Sequence, residues 1–98
     1  MKSAVVLRDE ARVEFDEAFD FYENQKPGSG VIFASRVQDV FDRIAANPEI
    51  HAVVFADIRK AVVKRSPYRV FYRAEALRIE VIAVFHTARN PLIWQGRA

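Results

Sequence analysis

The sequence predicts an α+β fold in which a helical hairpin covers one face of an antiparallel sheet. Three features carry that expectation. Two stretches in the first half repeat apolar residues at helical spacing. Three stretches in the second half alternate between two faces, and a polar, breaker-rich segment separates the two helical stretches. A length of 98 residues and an apolar fraction of 51% suit one small core, so residues 1–98 are expected to form a single domain. The expected element order is β-α-α-β-β-β.

Residues 3–7 are a short apolar run compatible with a first strand. Asp9 is placed to cap a helix, with Glu10 in a first turn where the helix dipole favours acids. Ala11, Phe15, Ala18, Phe19 and Tyr22 then fall on one helical face. Glu14, Asp16, Glu17, Asp20 and Glu23 take most of the remaining circumference, and are expected to be solvated rather than paired for catalysis. Residues 24–30 form the connection. Gly28 and Gly30 are followed by no Lys-Ser or Lys-Thr and preceded by no strand, which argues against a phosphate loop. The second helix should run from near Ser29 to about Ala46, with Phe33, Val37, Val40, Phe41 and Ile44 on its apolar face. Asn47-Pro48 stops it, because a residue before proline is pushed out of the helical region.

Residues 48–57 show no clear period, and His51 stands alone there without a second ligand at metal spacing. Residues 58–65 read as a strand with Ala61 and Val63 on one side and Lys60, Val62 and Lys64 on the other. Residues 68–73 are its hairpin partner through Ser66-Pro67. Tyr68, Val70 and Tyr72 share one side, and Arg69, Phe71 and Arg73 the other, so this strand has one face for packing and one of charge. In the last strand Leu77, Ile79, Val81, Ala83 and Phe85 alternate with Arg78, Glu80, Ile82, Val84 and His86. Its later part is apolar on both sides, the mark of a strand covered twice. The apolar end Leu92-Ile93-Trp94 needs a place to pack, with Trp94 as its anchor.

The net charge of +2 conceals an asymmetry. Between Arg8 and Lys26, seven acids face three bases; from Ile58 to Ala98, nine bases face two acids. A basic half of this kind suits an anionic partner, either nucleic acid or an acidic protein segment. The chain has no cysteine, which excludes disulfides and thiolate metal sites. It has no 18-residue apolar run, and its first seven residues are too brief for a signal peptide, so a cytoplasmic location without membrane contact is expected. No metal or cofactor is expected.

The segments Pro67-Tyr68-Arg69-Val70-Phe71-Tyr72-Arg73, Ile79-Glu80-Val81-Ile82-Ala83-Val84 and His86-Thr87-Ala88-Arg89-Asn90-Pro91-Leu92-Ile93-Trp94 resemble the RelE/ParE toxin superfamily of bacterial type II toxin–antitoxin modules. The resemblance spans nearly the whole chain. It implies a toxin held inactive by a cognate antitoxin that wraps a helix and a strand around it, as a homodimer or a toxin–antitoxin hetero-oligomer. RelE-like members cleave mRNA on the ribosome, whereas ParE-like members poison DNA gyrase. Metal-free RNA cleavage needs a group to activate the 2′-OH, a proton donor for the leaving oxygen and cations for the phosphate. Arg69 matches the arginine of the nucleases, but Trp94 stands where they carry a late tyrosine, and tryptophan exchanges no proton. Ala88 stands where an arginine is frequent, with Arg89 beside it. His86 is the one residue that could restore acid–base chemistry there, because histidine is the side-chain type suited to it near neutral pH; a structural or hydrogen-bonding role is expected for it ahead of a catalytic one. The leading expectation is therefore a ParE-like toxin that binds its target through Lys60, Lys64, Arg65, Arg69, Arg73 and Arg89. The alternatives are a ribosome-dependent endoribonuclease using His86, Arg69 and Arg89, and an inactive member that binds only its antitoxin.

Overall fold

Two hydrophobic seams, one on each face of a five-stranded sheet, decide the architecture. The computed structural model describes residues 3–98. Met1 and Lys2, part of the stretch read above as too brief for a signal peptide, lie outside the described residues. The elements are β1 (Ala4–Leu7), α1 (Asp9–Gln25), α2 (Ser29–Ala46), β2 (Val53–Phe55), β3 (Ile58–Val62), β4 (Tyr68–Ala74), β5 (Arg78–His86) and α3 (Leu92–Gln95). The sheet order is β1-β5-β4-β3-β2. β2 to β5 form an antiparallel meander, and β1 adds in parallel beside β5. Among the described residues no helix is long and apolar enough to cross a membrane.

The helical hairpin forms where the periodicity placed it. Ala11 and Ala18 of α1 and Phe33, Val37, Val40 and Ile44 of α2 are buried against the sheet residues Ala61, Val63, Val70, Tyr72, Ile79, Val81 and Val84. Asp9 is not the cap: Arg8 holds that position without a side-chain bond, and Asp9 and Glu10 lie in the first turn. The hairpin is closed by Glu23, whose carboxylate accepts the Gly28 N–H at 3.0 Å and the Gly30 N–H at 2.8 Å. Those bonds hold its carboxyl below the usual carboxylate range. Gly28 has φ +91°, a conformation that strains any residue with a Cβ. At Gly30 a Cβ would stand 2.8 Å from the Phe19 carbonyl oxygen, so glycine lets the two helices approach.

β5 departs from strict alternation. Phe71 pairs with Ala83 but the next residue, Tyr72, pairs with Val81, so Ile82 is an extra residue in a β-bulge. The bulge exchanges the faces of everything after it. Val84 joins Ile79 and Val81 on the helix side, and His86 packs there against Tyr68 with ring centroids 5.2 Å apart. Ala83 and Phe85 turn to the second face with Ile58, Phe71, Ile82 and Trp94. The grouping of Ala83 and Phe85 with Ile79 and Val81 is thus corrected, and Leu77, expected in the strand, is 91% exposed in the preceding turn. β2 and α3 are elements the periodicity did not indicate. β2 lies at the sheet edge with all three side chains exposed, so it has no buried face to create an alternation.

The acidic face of α1 is also not uniformly solvated. Glu14 is buried and forms the base of a cluster that ties three parts of the chain together. Its carboxylate accepts the Val84 N–H at 3.2 Å, Arg89 Nη1 at 3.0 Å, and Arg97 through Nη1 at 3.0 Å and Nη2 at 2.9 Å. Arg97 Nη1 also donates to the Ile82 carbonyl at 3.1 Å, and the Arg97 carbonyl accepts Arg8 Nη1 at 2.9 Å. β1 stops pairing at Leu7–Val81. Past that point the outer edge of β5 has no strand beside it, and Glu14 and Arg97 satisfy its buried N–H and C=O groups.

Two outcomes follow from this packing. Glu14→Gln leaves the Arg97 guanidinium buried without its countercharge and should cost about 2–4 kcal/mol in urea unfolding, with Arg97→Met non-additive to it in a double-mutant cycle. His51 Nε2 is buried without a hydrogen-bond partner, and burial, assisted by Arg43, holds the imidazole below its usual pKa. The unfolded chain therefore binds the proton more readily. Stability from this group is present above about pH 6.5 and is lost as the pH falls toward the folded value. Unfolding midpoints at pH 7.5 and 5.5 should differ less in His51→Gln than in the parent chain.

Candidate partner-binding site on the second face

The face turned away from the helices was expected to carry charge, and it carries an aromatic cluster as well. Phe71, placed by alternation between Arg69 and Arg73, is 5% exposed because the C-terminal segment folds over it. Trp94 of α3 stacks on Phe71 with centroids 3.9 Å apart and an interplanar angle of 15°. The edges of Phe55 and Phe85 complete the cluster, with Phe55 5.9 Å from Trp94 and Phe85 6.4 Å from Phe71. The segment is set by a turn in which Asn90 Oδ1 accepts the Leu92 N–H at 3.0 Å. Trp94 is thus the anchor of the tail, the place foreseen for it.

Beside this cluster lies a cavity of about 300 Å³, lined by Val54, Lys60, Arg69, Phe71, Phe85, His86, Thr87, Arg89, Pro91 and Trp94. Lys60 projects from β3 and Arg69 from β4, on the side opposite the buried Ala61 and Val70. Arg69 Nη1 donates to the carbonyls of Tyr68 at 3.0 Å and Ser66 at 3.4 Å, which folds its head over the β3–β4 turn. Arg89 lies 4.5 Å above the Phe85 ring while pairing with Glu14 at 3.0 Å. A flat cation over an aromatic face is favoured by the ring quadrupole. The cavity can hold an anionic group against Lys60, Arg69 and Arg89, with an apolar neighbour on the aromatic wall.

The remaining cations of the sequence reading go elsewhere. Arg73 is committed to a surface network: its Nε donates to Asp57 at 2.8 Å and its Nη1 to Glu80 at 3.2 Å, and Glu80 also meets Arg8 at 3.4 Å. The Arg73 bond holds Asp57 below the usual carboxylate range and raises Arg73 in turn. Arg65 sits in the β3–β4 turn with φ +56° and borders a separate cavity with Tyr22, Phe33 and Arg36. Lys64 is exposed in the same turn and lines neither cavity.

His86 borders the second-face cavity, but its ring is engaged. Its Nδ1 accepts the Ala88 N–H at 2.9 Å, so that nitrogen is unprotonated. No tyrosine lines the cavity. Tyr68 and Tyr72 belong to the helix side, where burial raises both above the usual tyrosine range, and the Tyr72 hydroxyl donates to the Pro48 carbonyl at 2.9 Å. Among the described residues no three His, Cys, Asp or Glu side chains group as metal ligands. Glu14, Arg97 and Val54 take part in or support the site without having been singled out. Glu14 lay inside an acidic run and Arg97 at the chain end, and neither spacing announces a buried pair.

This arrangement is an α+β sheet with a helical hairpin on one face and a cationic, aromatic-walled cavity on the other. The profile of the ParE toxin of type II toxin–antitoxin system, parDE, matches residues 5–91, and the chain belongs to this family. Among solved structures it is similar to a chain of the chromosomal ParDE TA system from P. aeruginosa, with a TM-score of 0.65 and 14% identity, covering 87% of this chain and 96% of that one. That likeness establishes the fold. No curated protein matches the chain.

Trp94→Ala should cost about 3 kcal/mol, the usual scale for deleting a buried large aromatic, whereas Trp94→Phe keeps the stacking and should lose less than half of that. Urea unfolding followed by far-UV circular dichroism measures both.

Proposed function

We propose that this protein is the toxin of a type II toxin–antitoxin module, a single cytoplasmic domain that inhibits DNA gyrase and is neutralised by a cognate antitoxin. It acts by binding through the second face, without cofactor and without covalent chemistry of its own. The observation that carries this reading is the composition of the cavity. Lys60, Arg69 and Arg89 line it together with an aromatic wall, while the imidazole at its border, His86, has one nitrogen taken by the Ala88 N–H. Binding an anionic surface needs what is present; cleaving RNA needs a base and an acid besides.

One observation favours the second reading, a ribosome-dependent endoribonuclease: His86 does border the cavity beside Lys60 and Arg69. In that case its other nitrogen, Nε2, would serve the 2′-OH or the leaving oxygen, with Arg69 and Arg89 on the phosphate. The two readings part on one substitution. Expression without antitoxin should give gyrase-dependent DNA breaks and filamentous cells, and His86→Ala should leave that toxicity within twofold. Rapid arrest of translation with cut mRNA, lost in His86→Ala, would establish the nuclease instead.

Lys60→Glu with Arg69→Glu reverses two charges of the cavity without touching the cores. The double variant should lose at least tenfold in toxicity, scored by plating, with its unfolding midpoint unchanged within error.

A further inference from the structure

Two arginines without a countercharge line the cavity where the helical hairpin meets the β3–β4 turn. It measures about 250 Å³ and is bounded by Tyr22 of α1, by Ile32, Phe33 and Arg36 of α2, and by Arg65 of the turn. Arg36 is half-buried and Arg65 exposed, and neither forms an ion pair among the described residues. Among those residues no carboxylate lines the cavity. Glu23, next to Tyr22 in the chain, is taken up by the Gly28 and Gly30 N–H groups. Arg65 has φ +56°, in the left-handed region that glycine adopts without strain, so the turn itself does not call for arginine. A concavity walled by one sign of charge concentrates ions of the other.

We propose that this cavity binds a small phosphomonoester, with its phosphate on Arg36 and Arg65 and its apolar body on Ile32 and Phe33. Guanidinium forks match phosphate oxygens, and two cations favour the dianion of a monoester over the single charge of a diester. Burial holds the Tyr22 hydroxyl above the usual tyrosine range, so it stays protonated and can donate. Ile32, 53% exposed, supplies an uncovered apolar wall. The volume lies below the about 300 Å³ at which pockets for drug-sized molecules begin, which limits the ligand to a small body. The site shares no lining residue with the second-face cavity, and this inference stands independently of the gyrase reading.

The test titrates the isotopically labelled full chain with phenyl phosphate at constant ionic strength. It is run on the parent and on Lys60→Glu with Arg69→Glu, in which the second-face cavity has lost two cations. Saturable amide shifts at Tyr22, Ile32, Arg36 and Ser66 are expected in both chains, with unfolding midpoints that rise with ester concentration. Inorganic phosphate should act at the same amides and bind about threefold more weakly or worse, for want of the apolar body. Arg36→Gln and Arg65→Gly should each weaken the ester about tenfold or more. Arg65→Gly relieves the positive φ, so its midpoint without ligand should hold or rise, which separates a lost site from a lost fold. Ile32→Ser should weaken the ester about threefold and leave inorganic phosphate unchanged. No saturation at these amides, shifts confined to the second face, the same shifts with sodium chloride alone, inorganic phosphate binding as tightly as the ester, or an arginine variant that binds like the parent would each overturn the proposal.

Discussion

The Glu14 carboxylate is the constraint on which the rest of the molecule depends. β1 is four residues long and leaves β5 at Val81, because the chain must turn there into α1. The second half of β5 is nonetheless buried on both faces. A buried strand edge without a neighbour strands its N–H and C=O groups, each at a cost of order 1–3 kcal/mol. Glu14 reaches the Val84 N–H from the helix that replaces β1, and Arg97 reaches the Ile82 carbonyl from the chain end. Neither charge could be buried alone; each makes the other tolerable.

The same pair fixes the tail. With the Arg97 head in the cluster and its carbonyl on Arg8, the preceding turn is drawn across the second face and Trp94 is placed over Phe71. Arg89, the third member, spans the two sides. It pairs with Glu14 on the helix side and lies over Phe85 at the cavity wall. Glu14 holds Arg97 and the Val84 N–H besides, so the cluster does not rest on Arg89 alone.

Much of this was legible in the residues and some was not, for physical reasons. The helices announced themselves because each buries one stripe and solvates the rest, so Phe33, Val37, Val40 and Ile44 stand out at helical spacing. β3 and β4 alternate cleanly for the same reason. Lys60, Arg69 and Arg89 could be picked as cations of one half, but not as one cavity apart from Lys64, Arg65 and Arg73. What separates them is a turn with Arg65 at φ +56° and an ion pair to Asp57 from a stretch without period. Glu14 was hidden because a buried acid in an acidic run looks like its neighbours; what distinguishes it is a partner 83 residues away.

The bulge at Ile82 was the least visible feature and the one with the widest reach. The stretch 81–85 is apolar at every position, so inserting one residue leaves no trace in the hydropathy pattern. Strict alternation from Ile79 and Val81 would have set His86 on the face of Phe71 and Arg69, with the cations. The extra residue instead sends its ring to Tyr68 and closes Nδ1 on the Ala88 N–H. Phe85 takes the place on the cationic side, where it supports Arg89. A single residue inserted in one strand thereby sets Phe85 beside Phe71 and Arg69, while His86, turned toward Tyr68, keeps a place at the border of the cavity.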